Sequence, residues 1–429
     1  MYAVVLTTFA IIICIFLEWK WHINMGITAC TAAFLIGCFG LGLSPNEIKN
    51  MLPVKIIFPI TAITTFYGFA MENGTLEKLA NHVVWQFRRY PGAIPILLFA
   101  LCALLGVAGM DAGSIAIVMS PIAMGIVAQG RQPLLPCVLA TMLGSGVGSN
   151  YMFAAGGTII RGFIEEGAFA GHALSLSIGI FIHYFICCGI LAAAVMLIFR
   201  QRGEATATAV PEPFDTKQKI NLLLIALFVL TVAVPAIAGE FTGSAALKAL
   251  AKKLDVGFVA MVFSLAATLL GLGSVTDILS RRVPWKTLFM VSGITFLMGV
   301  AVKAGLIDAV TQAIGSSCPF WLVTPLMTLS AGVMSFFSSA ISVVIPTLFP
   351  MVPVLAEATG VAGLPLYIAV TLGSGITAIS PFSTGGSIML GNCPDEQRRD
   401  EMMFGQLISA FFMLIFVILY CGIIAFFIR

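Results

Sequence analysis

Apolar residues run along this chain in segments long enough to cross a lipid bilayer, and only short polar stretches separate them. Crossing about 30 Å of hydrocarbon takes roughly 20 helical residues. The longest polar stretch, Arg200–Lys219, is too short to bury a core of its own and is typical of a linker. The pattern therefore predicts an all-α polytopic membrane protein.

The two sides of this linker repeat one another. The segment Leu143–Val147 reads LGSGV and returns as LGSGI at Leu372–Ile376, and Gly156–Gly157 returns at the same spacing as Gly385–Gly386. A spacing that stays constant over many residues indicates an internal repeat. The predicted divisions are a first repeat over 1–199, a linker over 200–219 and a second repeat over 220–429.

One long apolar run in each half, 92–129 and 319–358, predicts a re-entrant hairpin rather than a crossing. A helix of about 15 residues is about 23 Å long, which is enough to pass the bilayer midplane. Two such helices in succession can therefore enter the membrane and return to the same side. Each half then has five transmembrane helices and one hairpin. An odd number of crossings turns the second half upside down, and this inverted repeat is typical of secondary transporters. Most of the 22 Lys and Arg residues fall on the side of the linker, which predicts a cytoplasmic linker and both termini outside.

A second long run in each half, 134–160 and 364–390, predicts a broken helix. The Gly- and Ser-rich segments Gly144–Asn150 and Gly373–Pro381 are expected to interrupt these helices at membrane depth. Non-helical backbone persists there only when it is buried in protein or lines a cavity. The alternative is that the small residues serve close helix packing.

Asp111 lies in the middle of the first hairpin run, where an ionisable side chain is a functional candidate. The alternative is a solvated hairpin tip. An ionised Asp111 beside a bound anion would repel it, by about 4 kcal/mol per charge pair at 4 Å and an effective dielectric of 20. We therefore expect Asp111 to hold a coupling cation. Sodium is the first choice because hydroxyl and carbonyl oxygens lie nearby, and a proton is the alternative.

The hairpin tips and helix breaks together make the predicted site. The predicted substrate-binding residues are Ser114, Ser145, Gly146, Ser149, Asn150, Ser338, Ser339, Ser374, Gly375, Thr377, Ser380 and Pro381. The predicted cation ligands are Asp111, Gly113, Ser114, Gly144, Ser145, Ser339, Gly373 and Ser374.

Composition narrows the function further. The chain of 429 residues is 59% apolar and 10% charged, with a net charge of +3, which excludes a soluble enzyme and gives no sign of a nucleic-acid partner. The acid and histidine within core runs, Asp111 and His183, do not form a hydrolase set, so we expect neither an enzyme nor a cofactor. No Lys or Arg lies within a core run, so helix N-termini would have to bind an anion. A channel remains an alternative to a carrier.

Two hairpins and two broken helices in inverted five-helix halves resemble the ion transporter superfamily, including the divalent anion/sodium symporters. The segments Ile23–Gly26, Phe66–Ala70 and Glu72–Thr75 resemble the MatC-type malonate/dicarboxylate carriers. The resemblance implies sodium-coupled uptake of a dicarboxylate such as malonate or succinate, by an elevator movement against a dimeric scaffold in a bacterial cytoplasmic membrane. The Ser-Asn-Thr tip motif of the symporters is absent here, and Thr377 and Pro381 do not form their adjacent Thr-Pro pair. A proton-coupled carrier or an exchanger of another small anion is the alternative.

Overall fold

The regular structure of the described residues is helical throughout, which confirms the predicted all-α class. Parts of the predicted elements lie outside the described residues, namely residues 200–209 of the linker and residues 129 and 337 of the hairpins. The computed structural model describes residues 2–21, 23–86, 91–128, 133–199, 210–242, 244–306, 309, 319–336, 338–391, 393 and 396–428.

The first half contains ten α-helices in its described part, and short turns or 3₁₀ segments join most of them. A π-helical segment at Leu35–Gly40 extends the second helix. The helices are α1 (Tyr2–Trp21), α2 (Met25–Phe34), α3 (Pro45–Lys49), α4 (Val54–Glu72), α5 (Thr75–Gln86), α6 (Ile94–Val107), α7 (Ala112–Ala128), α8 (Leu134–Ser149), α9 (Ala155–Glu166) and α10 (Ala173–Ile198).

The second half follows a similar order. After Ser339 the chain runs through a π segment at Ala340–Val344 and, further on, a 3₁₀ segment at Phe349–Met351 that contains Pro350. The helices are α11 (Thr216–Thr242), α12 (Ala245–Lys253), α13 (Val256–Leu269), α14 (Val275–Arg281), α15 (Trp285–Lys303), α16 (Phe320–Phe336), α17 (Ile345–Leu348), α18 (Val352–Thr359), α19 (Gly363–Thr377), α20 (Thr384–Gly391) and α21 (Glu396–Phe427).

Several of these helices are long and apolar enough to span a membrane. Five stretches in the described residues meet that criterion by length and composition. Shorter apolar helices, α6, α7 and α8 among them, accompany these five. The protein is therefore a multi-pass membrane protein. The five stretches are Ala170–Ile198, Thr216–Pro235, Trp285–Lys303, Ala340–Thr359 and Arg398–Phe427.

Glycines of the two Gly- and Ser-rich segments pack helices together and are not themselves the points at which the helices break. Helix α8 stays helical to Ser149, and α19 stays helical to Thr377. A Cβ at Gly144 would overlap the Phe99 carbonyl of α6, and a Cβ at Gly373 would overlap the Thr328 carbonyl of α16. The expectation that these glycines interrupt the helices is wrong, because close backbone contact keeps them within regular helix.

The helix interruptions overlap the C-terminal ends of the predicted segments Gly144–Asn150 and Gly373–Pro381 and extend beyond them. The backbone leaves the helix at residues 150–154 in the first half and at 378–383 in the second. Each interruption is followed by a short helix, α9 and α20 respectively. The two short helices therefore begin inside the protein, next to the ends of α8 and α19.

Candidate functional site

A cavity of about 200 Å³ lies where the turn between α6 and α7, the break after α8, the segment before Ala340 and the break after α19 come together. This volume is below the range of about 300–1,000 Å³ that sites for drug-sized ligands occupy, so the cavity suits a small ligand. Predicted site residues that line it are Asp111, Gly113, Ser145, Gly146, Ser149, Asn150, Ser338, Ser339 and Gly375.

Asp111 stands at the start of α7 and caps that helix. Its Oδ1 accepts hydrogen bonds from the backbone N–H groups of Gly113 and Ser114, at 3.0 and 3.1 Å. Its Oδ2 accepts from the Ser114 hydroxyl at 2.5 Å. The preceding turn depends on Gly109, which has φ +102° and lies against the ring of Tyr67, where a side chain would not fit. Asp111 is half-buried and faces the cavity from a position fixed by its own helix.

The last turns of α8 and the residue that follows them present hydrogen-bond acceptors to the same cavity. The Asn150 amide nitrogen donates to the Gly146 carbonyl at 2.7 Å, which leaves Oδ1 without a partner among the described residues. Asn150 is 7% exposed. The Ser145 hydroxyl donates to the Thr141 carbonyl at 2.7 Å and also contacts the Cys102 thiol, and a lone pair of its oxygen remains for a ligand. Together with Asp111, these oxygens suit a bound cation.

Donor groups occupy other parts of the cavity wall. Ser339 accepts a hydrogen bond from the Ser342 N–H at 3.2 Å, so its own proton is left for a ligand. Helix α9 begins beside the cavity at Ala155 and Gly156, and Ala154 supplies no side-chain cap for its first N–H groups. Uncapped N–H groups at a helix start attract anions. These two donor positions suit carboxylate groups.

The charge on the described cavity wall is negative. Asp111 is the one Asp, Glu, Lys or Arg among the described residues that line it. A bound anion is therefore not matched by a cationic side chain there. An added positive charge near Asp111 would offset the repulsion between its carboxylate and an anion.

Several predicted site residues do not line the cavity. Ser114 is bonded to Asp111, and Gly144 and Gly373 lie in the helix contacts described above. The hydroxyls of Ser374 and Thr377 donate to backbone carbonyls of their own helix, at Val370 and Gly373. Within the second break, the Ser380 hydroxyl accepts from the Phe382 N–H, and Pro381 does not contact the cavity.

Other lining residues were not predicted from the sequence. The fully buried Tyr184 of α10 places its hydroxyl against both Gly146 and Gly375, where a Cβ on either glycine would overlap it. Thr141, Thr287, Ser342 and Ser383 also line the cavity. A tyrosine inside a long apolar run carries no sequence signal that separates it from core packing.

Comparison with known proteins agrees with this architecture. Residues 1–149 match the family model described as "Dicarboxylate carrier protein MatC N-terminus". The fold is similar to the YdaH transporter of Alcanivorax borkumensis, with a TM-score of 0.63 and 16% identity over 88% of this chain and 86% of that one. It is also similar to MtrF of Neisseria gonorrhoeae, described among antimetabolite efflux pumps, with a TM-score of 0.57 and 12% identity over 86% and 81% of the two chains. No curated protein sequence matches significantly.

The fold and the cavity thus define a multi-pass membrane protein with the architecture of solved transporters. Its first 149 residues resemble the dicarboxylate carrier MatC, as the sequence segments indicated.

A matched pair of serines tests the position of the site. Ser145 and Ser374 occupy equivalent places in the two halves, but Ser145 lines the cavity and Ser374 does not. We expect Ser145→Ala to weaken the apparent affinity for the coupling cation about tenfold. The variant loses an oxygen that contacts a charged group, and such a contact contributes about 1.5–3 kcal/mol. Ser374→Ala should transport like wild type. Uptake titrated with the cation measures both, and equal kinetics for the two variants would contradict the placement.

Proposed function

We propose that the protein is a secondary active transporter that couples the uptake of a small dicarboxylate to a cation, with sodium as the first choice. The proposal rests on one observation: the same cavity contains hydrogen-bond acceptors that suit a cation and hydrogen-bond donors that suit an anion. Asp111, Asn150 and Ser145 offer oxygens to a cation, and Ser339 and the start of α9 offer hydrogen bonds to carboxylates. The match of residues 1–149 to a dicarboxylate carrier supports malonate or succinate as substrate.

Coupling follows from the position of Asp111. When the cation is bound, a dicarboxylate that enters the cavity meets an Asp111 whose charge is neutralised. When the cation is absent, the dicarboxylate meets the negative charge of Asp111. Cation binding therefore raises anion affinity, and by linkage the anion raises cation affinity to the same extent. A proton on Asp111 would have the same effect, so proton coupling is the second candidate.

We propose further that the two halves form an inverted repeat, in which 92–129 and 319–358 are re-entrant hairpins. Equivalent contacts in the halves support the repeat, because Gly144 meets a carbonyl of α6 as Gly373 meets one of α16. Likewise, Gly146 and Gly375 both lie against the hydroxyl of Tyr184. We place the linker in the cytoplasm of a bacterial cell. Labelling of Glu212→Cys, on a background from which the native cysteines are removed, by an impermeant reagent outside intact cells would contradict this orientation.

The movement we propose is an elevator in which the hairpins and broken helices travel together. Helix pairs that join the two halves, α2 with α15 and α4 with α13, would form the stationary scaffold within each protomer of a homodimer. Gly26 of α2 approaches the backbone of α15 so closely that a Cβ would overlap Phe289, which suits a rigid scaffold.

A thermal-shift panel tests the substrate and the coupling ion. We expect malonate or succinate to raise the Tm in sodium chloride but not in choline chloride, and acetate to have little effect in either. Ligand at 100 times its Kd stabilises the folded state by about 2.7 kcal/mol. An equal shift in choline chloride at low pH would favour the proton, and a panel without any anion response would contradict the proposal.

A further inference from the structure

A second cavity lies between the start of α4, the later turns of α9 and the start of α13. It encloses about 490 Å³, within the range of about 300–1,000 Å³ that small-molecule sites occupy. Helix α9 separates it from the central cavity: Ala155 and Ile159 face the central cavity, whereas Thr158, Arg161 and Glu165 face this cleft. We call it the α9 cleft.

The α9 cleft contains groups of both charges. Arg161 donates through Nε to the Glu165 carboxylate at 3.0 Å, and its guanidinium lies over the ring of Phe153. Thr158 is 3% exposed, and its hydroxyl has no hydrogen-bond partner among the described residues. Asp255 caps α13 by accepting from the Gly257 and Phe258 N–H groups through Oδ1 alone, at 3.0 Å each. A ligand here meets hydrogen-bond donors on α9 and carboxylate oxygens on both helices.

An exposed apolar face continues from this cleft along α13. Phe258, Val262, Leu265 and Leu269 recur at helical spacing and are 66, 66, 60 and 78% exposed. Val54, at the cleft itself, is 62% exposed. The polar cleft lies at helix ends and the apolar face runs from it along the helix, as they would at a membrane–water interface.

We propose that the α9 cleft binds the headgroup of a zwitterionic phospholipid with a primary ammonium, of the phosphatidylethanolamine type. The phosphate accepts hydrogen bonds from Arg161 and Thr158, which gives the unpartnered hydroxyl a partner. The ammonium donates to the carboxylates of Asp255 and Glu165. The acyl chains lie on the apolar face of α13. A soluble zwitterion would satisfy the polar groups but would leave that face uncovered.

Native mass spectrometry of the full-length protein with three lipids tests this inference. Phosphatidylcholine carries the same phosphate, but its quaternary ammonium has no N–H, and phosphatidylglycerol has no ammonium. We expect phosphatidylethanolamine to bind about tenfold or more tightly than either, as charge-assisted hydrogen bonds predict. Equal binding of phosphatidylethanolamine and phosphatidylcholine would overturn the proposal, as would equal binding of glycerophosphoethanolamine, which has no acyl chains.

Two variants separate this binding from folding. Asp255→Asn keeps an N-cap residue, so the protein should fold and should lose most of its preference for phosphatidylethanolamine over phosphatidylcholine. Asp215→Asn is the matched control, because Asp215 accepts from the Gln218 N–H at the start of α11 in the same way. Asp215→Asn should retain the wild-type preference. A wild-type preference in Asp255→Asn would overturn the assignment of the ammonium.

Discussion

Asp111→Asn is expected to transport with a cation affinity reduced by roughly 100- to 1,000-fold, or with no dependence on the cation at all. A charge pair at 4 Å contributes about 4 kcal/mol at an effective dielectric of 20, and each 1.4 kcal/mol is a factor of ten. The change preserves the local structure, because asparagine caps a helix as well as aspartate does. Its Oδ1 can accept the same hydrogen bonds from Gly113 and Ser114.

The control for this variant is again Asp215→Asn, whose carboxylate also caps a helix but does not line the central cavity. Uptake into proteoliposomes, titrated with sodium at fixed pH and with pH at fixed sodium, gives the affinity for each ion. Loss of sodium dependence in Asp111→Asn alone supports the sodium site, and loss of the pH dependence alone supports the proton. If both titrations match wild type, Asp111 does not hold the coupling ion.

Gly148→Ala is expected to cost folded protein rather than affinity. A Cβ at Gly148 would overlap the Ala103 carbonyl and the Gly106 backbone of α6, and backbone atoms cannot turn aside as side chains do. Alanine favours a helix by about 1 kcal/mol over glycine, but over-packing costs about 1–3 kcal/mol and sometimes more. We therefore expect a lower Tm and a smaller monodisperse fraction after purification.

Gly125→Ala provides the opposite case within the same region. Gly125 lies inside α7, and a Cβ there would meet no atom within 4 Å. This variant should keep or slightly raise the wild-type Tm. If Gly148→Ala is as stable as Gly125→Ala, the backbone contact between α6 and α8 does not hold the helices together.

The sequence indicated which segments meet at the cavity more accurately than it indicated where those segments are helical. The match of Leu143–Val147 to Leu372–Ile376 pointed to two equivalent places, and both contribute to the cavity wall through Gly146 and Gly375. The sequence alone could not distinguish a break in a helix from a close contact between two helices, because glycine favours both. Only the facing carbonyls of Phe99 and Thr328 show that Gly144 and Gly373 serve contacts.

Equivalent positions in a repeat also proved unequal in ways that the sequence does not reveal. Ser145 lines the cavity and Ser374 does not, although the surrounding sequence is nearly the same and both hydroxyls donate to the carbonyl four residues earlier. Asp111 stood out as an isolated charge in an apolar run, and it lines the cavity. Tyr184 did not stand out, because its role depends on two glycines far away in the chain.

Counterflow in proteoliposomes tests the central claim, that this protein is a carrier for a small dicarboxylate, most directly. Vesicles are loaded with unlabelled malonate or succinate and diluted into a trace of the labelled compound, with sodium on both sides. The proposed function predicts that label accumulates transiently above its equilibrium level, because a carrier exchanges one bound molecule for another. Label that only rises to equilibrium, at a rate that does not saturate with concentration, would show a channel and contradict the proposal.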